Sequence, residues 1–141
     1  MDLDVSTEIE IRRPREEVAA YAADPTNAPE WYENIESAER TDHEQVAFVA
    51  RFMGKRLAYT YAIREHLPGE RLVMSTAEGP FPMETTYEWT DAPGGGTRMT
   101  LRNRGRPAGF SRLVAPVIAR AVRRANRTDL DRLKRILEAE D

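Results

Sequence analysis

Tyr59, Tyr61, Thr85, Tyr87 and Asn103 are the residues whose types and spacing could do chemistry. Each stands at an alternate position of a run that is otherwise apolar at that phase. The runs are Leu57, Tyr59, Tyr61, Ile63; then Met83, Thr85, Tyr87, Trp89; then Thr97, Met99, Leu101, Asn103. Side chains two apart on a strand share a face. A few hydroxyls and one amide would therefore stand among aromatic, Met and aliphatic groups. A tyrosine hydroxyl can orient a phenol, ketone or carboxylate, and acts as an acid when activated. The same groups could instead reach water or backbone carbonyls at the sheet edges, and spacing alone leaves both open. Tyr59 and Tyr61 are the catalytic candidates. Arg51 is a third: it is out of step with Phe48 and Phe52 and should point outward, but a bulge near Phe52 would turn it in to anchor a carboxylate or enolate.

Other chemistries find little support. Glu84 and Glu88 share the outward strand face, so they are not a catalytic pair. His43 and His66 sit in polar, loop-like surroundings with no second ligand at metal spacing, so no metal site is expected. The chain has no Cys, hence no disulfide, thiolate nucleophile or Cys-bound metal. Gly94-Gly95-Gly96 lacks the Lys and following helix of a phosphate loop. No Ser occupies a nucleophile elbow. Asn126-Arg127-Thr128 matches a glycosylation sequon but falls in a helical pattern. No cofactor is implied.

The elements that must position these residues are legible from periodicity. Val5, Thr7, Ile9 and Ile11 alternate with polar residues and predict a strand. Pro14 with Glu16 and Glu17 opens a short helix, which Asp24-Pro25 ends. A second short helix carries Trp31, Tyr32 and Ile35. Trp31 either walls a pocket mouth or staples that helix to the sheet. A weak strand over about 35–40 precedes a clear run of strands to Arg104, with turns at Gly54-Lys55, Pro68-Gly69, Glu78-Gly79-Pro80 and Pro93 to Gly96. After Gly109 the period becomes 3.6, and one amphipathic helix to about Ala139 is expected. Its apolar face reads Leu113, Val114, Val117, Ile118, Ala121, Val122 and Ala125, continued by Leu130, Leu133, Ile136 and Leu137. Pro116 lies in its first turn or kinks it.

At 141 residues the chain reads as one domain, 1–141, with an ordinary core. Net charge is −3, but residues 1–97 carry −10 and residues 98–137 carry +10. A basic stripe can read an acidic partner. A nucleic-acid domain is usually basic overall, so nucleic acid is not the expected partner, and a solvated helix face is the simpler account. No apolar run reaches the roughly 18 residues of a membrane span, and the acidic N-terminus is not a signal peptide. A cytoplasmic location, as monomer or homodimer, is expected.

Several stretches together resemble one superfamily: "IRRPREEVAAYAADPTNAPEWYENI" after the first strand, "GKRLAYTYAIREHLPGERLVMSTAEGPFPMETTYEW" in the middle, "GGGTRMTLR" for the last strand and "ANRTDLDRLKRILEAE" at the end. They resemble the START-like, or SRPBCC, superfamily, and within it the polyketide cyclase/dehydrase-like branch. The resemblance implies an α+β helix-grip fold, a curved antiparallel sheet of order β-α-α-β6-α wrapped around a long C-terminal helix. It also implies a cavity between them.

The expected function is binding of an apolar, aromatic or lipid-like small molecule in that cavity. On the sheet the expected wall is Phe48, Phe52, Tyr59, Tyr61 and Met74, with Met83, Thr85, Tyr87, Met99 and Leu101 beyond. From the helix side come Phe110, Val114, Val117, Ile118 and Ala121, with Trp31 at the mouth. Two alternatives stand beside it: an aromatase/cyclase-type enzyme, and an interaction protein using the basic helix face.

Overall fold

In a computed structural model, described for residues 3–52, 54–79, 82–106 and 115–139 (the side chains of Phe52 and Ala115 excepted), the expected element order is the observed one. Strand β1 (Leu3–Ile11) buries Leu3, Val5, Thr7 and Ile11, half-buries Ile9 and exposes Asp4, Ser6, Glu8 and Glu10. Helix α1 (Arg15–Ala23) follows Pro14 and buries Val18, Ala19 and Ala22. Asp24 ends it and accepts from the Thr26 backbone N–H at 3.0 Å, turning the chain through a 3-10 turn (Pro25–Asn27) into α2 (Ala28–Trp31).

Six strands then run in sequence: β2 (Ile35–Asp42), β3 (Gln45–Phe52), β4 (Lys55–Leu67), β5 (Arg71–Glu78), β6 (Met83–Asp91) and β7 (Thr97–Gly105). They form one antiparallel sheet of order β1-β7-β6-β5-β4-β3-β2. The segment holding α1 and α2 thus carries the chain from one edge strand to the other. Gly54, at φ +80°, makes the tight β3–β4 turn in a conformation that L side chains rarely adopt. Register shifts leave Glu36 and Thr41 extra in β2, Arg64 extra in β4 and Ala77 extra in β5. Each reverses the side-chain phase beyond it.

Helix α3 (Ala115–Glu138) packs along the sheet beside β1. Pro116 is the second described residue of this helix. Its C-terminal end is clamped to the β1 end. Lys134 Nζ donates to Glu10 O at 2.7 Å, Arg13 Nε to Leu137 O at 2.8 Å, and the Arg12 backbone N–H to Glu138 Oε2 at 2.8 Å.

Much of the charge asymmetry resolves within the molecule. Arg98, Arg102 and Arg104 on β7 pair with Glu10, Asp4 and Glu84 across the exposed sheet face. Glu88 pairs there with Arg71, so both Glu84 and Glu88 face outward as alternation requires. Exposed pairs of this kind contribute about 0–1 kcal/mol each. Arg120, Arg123, Arg124 and Arg127 remain on the exposed side of α3. Among the described residues no helix is long and apolar enough to cross a membrane.

The buried side chains fall into two groups. The larger joins Ile11, Val18, Trp31, Phe48, Met99 and Leu101 to the C-terminal half of α3 through Leu130, Leu133 and Leu137. The smaller joins Leu3 and Val5 to Ile118 and Val122 in the first half of α3. Met83 packs against both groups, and residues of both line the cavity.

Candidate binding cavity

The gap between the sheet and the first half of α3 is a cavity of about 180 Å³. Its sheet side is built from β3, β4 and β5, where strand alternation brings Phe48, Ala50, Leu57, Tyr59, Tyr61 and Met74 to one face. Phe48 stacks on Tyr59 at 5.5 Å between ring centroids and meets Tyr61 edge-on at 5.6 Å. Met83, Thr85, Tyr87 and Asn103 continue the wall from β6 and β7. From α3 come Ile118, Val122 and Ala125, with Asn126 and Asp129 one turn further on. Ile118, Val122, Asn126 and Asp129 are spaced by four, four and three residues, with Ala125 beside Asn126, so they share a helix face.

The polar groups divide into two sets. The first is a relay. Thr85 donates to Asn103 Oδ1 at 2.8 Å and lies 3.3 Å from the Tyr61 hydroxyl. Thr85 has one hydrogen, so its oxygen accepts from Tyr61. Asn103 Nδ2 then donates to Asn126 Oδ1 at 3.0 Å. The relay ends at Asn126 Nδ2, which is buried and has no protein partner. The second set surrounds α2. The hydroxyls of Tyr32 and Tyr87 are 2.5 Å apart, and Asp129 Oδ1 accepts from the Glu33 backbone N–H at 2.9 Å.

Burial sets the acid–base properties. It pushes the phenols of Tyr32, Tyr59, Tyr61 and Tyr87 above the ordinary tyrosine range. They stay protonated at neutral pH, where they donate hydrogen bonds but are weak acids. Asp129 differs. Burial pushes its carboxyl up to about 7, against the lowering effect of the Glu33 N–H. A group poised there holds or releases a proton at neutral pH.

The expected wall residues distribute unevenly. Phe48, Tyr59, Tyr61, Met74, Met83, Thr85, Tyr87 and Ile118 are brought together around the cavity. Trp31 is fully buried behind it, its ring 4.2 Å from Tyr32 and 5.7 Å from Tyr87, so it staples α2 rather than walling a mouth. Met99 and Leu101 are buried in the core beneath the second half of α3. Val117 is 56% exposed and Ala121 half-buried, both off the wall, because the helix turns 100° per residue and its inward face centres on Val122. Phe110 and Val114 lie outside the described residues, as does the Phe52 side chain. Arg51 borders the cavity, but its guanidinium is exposed and bound to Glu36, which also holds Arg56 at 2.6 Å. The bulge is in β2, at Glu36, and it brings an acid to Arg51 rather than turning Arg51 inward.

Sequence reasoning missed Tyr32, Leu3, Ile35, Ala50, Asn126 and Asp129 as wall residues. For the last two a signal existed. They interrupt the stripe running from Ile118 and Val122 to Leu130 and Leu133 at the inward spacing, where polar residues are unexpected. Among the described residues no group of three or more His, Cys, Asp or Glu is placed to hold a metal.

Comparisons with known proteins agree with this architecture. No curated protein matches the sequence. TTHA0849 from Thermus thermophilus superposes with a TM-score of 0.86 at 24% identity, over 98% of this chain and 99% of that one. The Zhui aromatase/cyclase from Streptomyces sp. R1128 gives 0.82 at 13% identity, over 98% and 94%. A START superfamily protein from Mycobacterium smegmatis gives 0.81 at 13%, over 96% and 97%. At such identities these are likenesses of fold. The sequence itself matches a family model over residues 2–138, nearly its whole length. The chain belongs to the family described as polyketide cyclase / dehydrase and lipid transport.

Proposed function

We propose that this protein binds a small apolar molecule in the cavity between the sheet and α3. The observation that carries the reading is the cavity itself, about 180 Å³, walled mainly by aromatic, Met and aliphatic side chains with a few placed polar groups. That composition is the usual one for small-molecule sites. Its volume is below the 300–1,000 Å³ typical of drug-sized ligands, and it suits a compact molecule. Family membership supports the same reading. The test is native mass spectrometry of the purified protein, with extraction of any passenger, beside an Ala125→Trp variant. Ala125 lines the cavity and is half-buried, so the indole fills the space. A passenger carried by the parent and lost from a folded variant supports the site. Equal retention by both removes it.

A second reading, catalysis of the cyclase or dehydrase kind, is favoured by one observation. Asp129 is a buried carboxyl on the cavity wall with its pKa near neutrality, as a general acid–base residue needs. Tyr59 would then serve as the hydrogen-bond donor to a carbonyl, the Tyr61 hydrogen being held by Thr85. A turnover whose pH profile loses its limb near 7 in Asp129→Asn supports it. A profile unchanged by that substitution overturns it.

A further inference from the structure

Resting on the cavity as a ligand site, we infer that its ligand is a neutral, single-ring compound bearing a carbonyl oxygen, and that Asn126 holds that oxygen. Three observations combine. The first is size: an apolar cavity of about 150 Å³ takes benzene, so about 180 Å³ takes one ring with a small substituent.

The second is an unspent donor. Asn126 is only 4% exposed and lines the cavity, and its Oδ1 is used by Asn103. Its Nδ2 has no partner and is closed off by neighbouring groups, which must part for a ligand oxygen to reach it. Leaving a buried donor unmade costs about 1–3 kcal/mol, so a ligand acceptor placed there gains what an isosteric hydrocarbon does not. The amide is also fixed in place, since Asn103 and Thr85 hold it through the relay that begins at Tyr61. A site built in this way around one hydrogen bond discriminates strongly against the analogue that lacks it.

The third is charge. Asp129 lies one helical turn from Asn126 on the same wall, and among the described residues the one cationic side chain at the cavity edge, Arg51, is engaged by Glu36. An anionic ligand would meet the Asp129 carboxyl and, among the described residues, no free cation. The acceptor is therefore a carbonyl oxygen and not a carboxylate.

Acetophenone and ethylbenzene make the test, because they differ by the carbonyl and little else. Calorimetric or chemical-shift titration of the unaltered protein should show acetophenone binding at least about tenfold tighter, equivalent to about 1.4 kcal/mol. In Asn126→Leu that preference should vanish while ethylbenzene still binds. Equal affinities in the unaltered protein, or a preference that survives Asn126→Leu, overturn the inference and leave the apolar-cavity reading standing. If neither compound binds, both fall together. The comparison in the unaltered protein stands even if the variant fails to fold.

Discussion

Asn103 on β7 and Asn126 on α3 are joined by a 3.0 Å amide–amide hydrogen bond, a side-chain polar link from the sheet to the helix at the cavity wall. The link holds the helix amide against the sheet while the space beside it stays open. It gains little net stability, because both groups would be hydrated in the unfolded chain. Its loss on one side is costly for the same reason: the partner stays buried and dry.

Asn103→Leu should therefore lower stability by about 2–3 kcal/mol, since it strips partners from both Asn126 Oδ1 and the Thr85 hydroxyl. Adding Asn126→Leu should cost much less than its own single effect. Urea unfolding of the four proteins measures the coupling. Purely additive costs would mean that the two amides act independently.

Asp129 should make stability fall with rising pH. Its folded pKa of about 7 lies above the ordinary 3.8, so the folded protein keeps a proton that the unfolded chain releases. Stability is then lost across roughly pH 4 to 7, by about 4 kcal/mol at most. Asp129→Asn keeps an oxygen for the Glu33 N–H and removes the charge. It should stabilise the protein at pH 8 and change it by under about 1 kcal/mol at pH 4.5. Unfolding curves at the two pH values check this. An equal change at both would show that the carboxyl titrates normally.

Glu138 should act in the opposite direction. Burial alone would raise its pKa, but hydrogen bonds from Lys134 and from the Arg12 backbone and guanidinium pull it down to about 2. Its contribution is present above about pH 4.5 and is lost as pH falls toward 2. Glu138→Gln should cost about 2 kcal/mol at pH 7 and nothing near pH 2. Amide exchange in the last turn of α3 should quicken, since the clamp to β1 is loosened. Unchanged exchange there would contradict the clamp.

The fold was largely legible because its signals are periodic. Alternation over Val46 to Phe52 and Met83 to Trp89 marks β3 and β6, and the 3.6-residue stripe from Ile118 to Leu137 marks α3. The sheet half of the cavity followed, since Phe48, Tyr59, Tyr61 and Met74 are fixed by alternation alone. The helix half did not. An apolar residue near the edge of a helical stripe, such as Val117, is as hydrophobic as Ile118 in sequence, and only packing shows which one turns inward. Asn126 and Asp129 stand at the inward spacing of that stripe, but only the sheet laid over them shows what their polarity faces. Arg51 depended on a bulge in a different strand, set by Glu36, which no local pattern in β3 could reveal.

The central claim is that the space between sheet and helix is a small-molecule site. Its most direct test is an amide chemical-shift titration of the protein with acetophenone. The account predicts saturable shifts concentrated at Tyr61, Met74, Val122 and Asn126, the wall residues from β4, β5 and α3. Shifts that never saturate, or that cluster on the exposed face at Arg120 and Arg124 and leave the wall untouched, would contradict it.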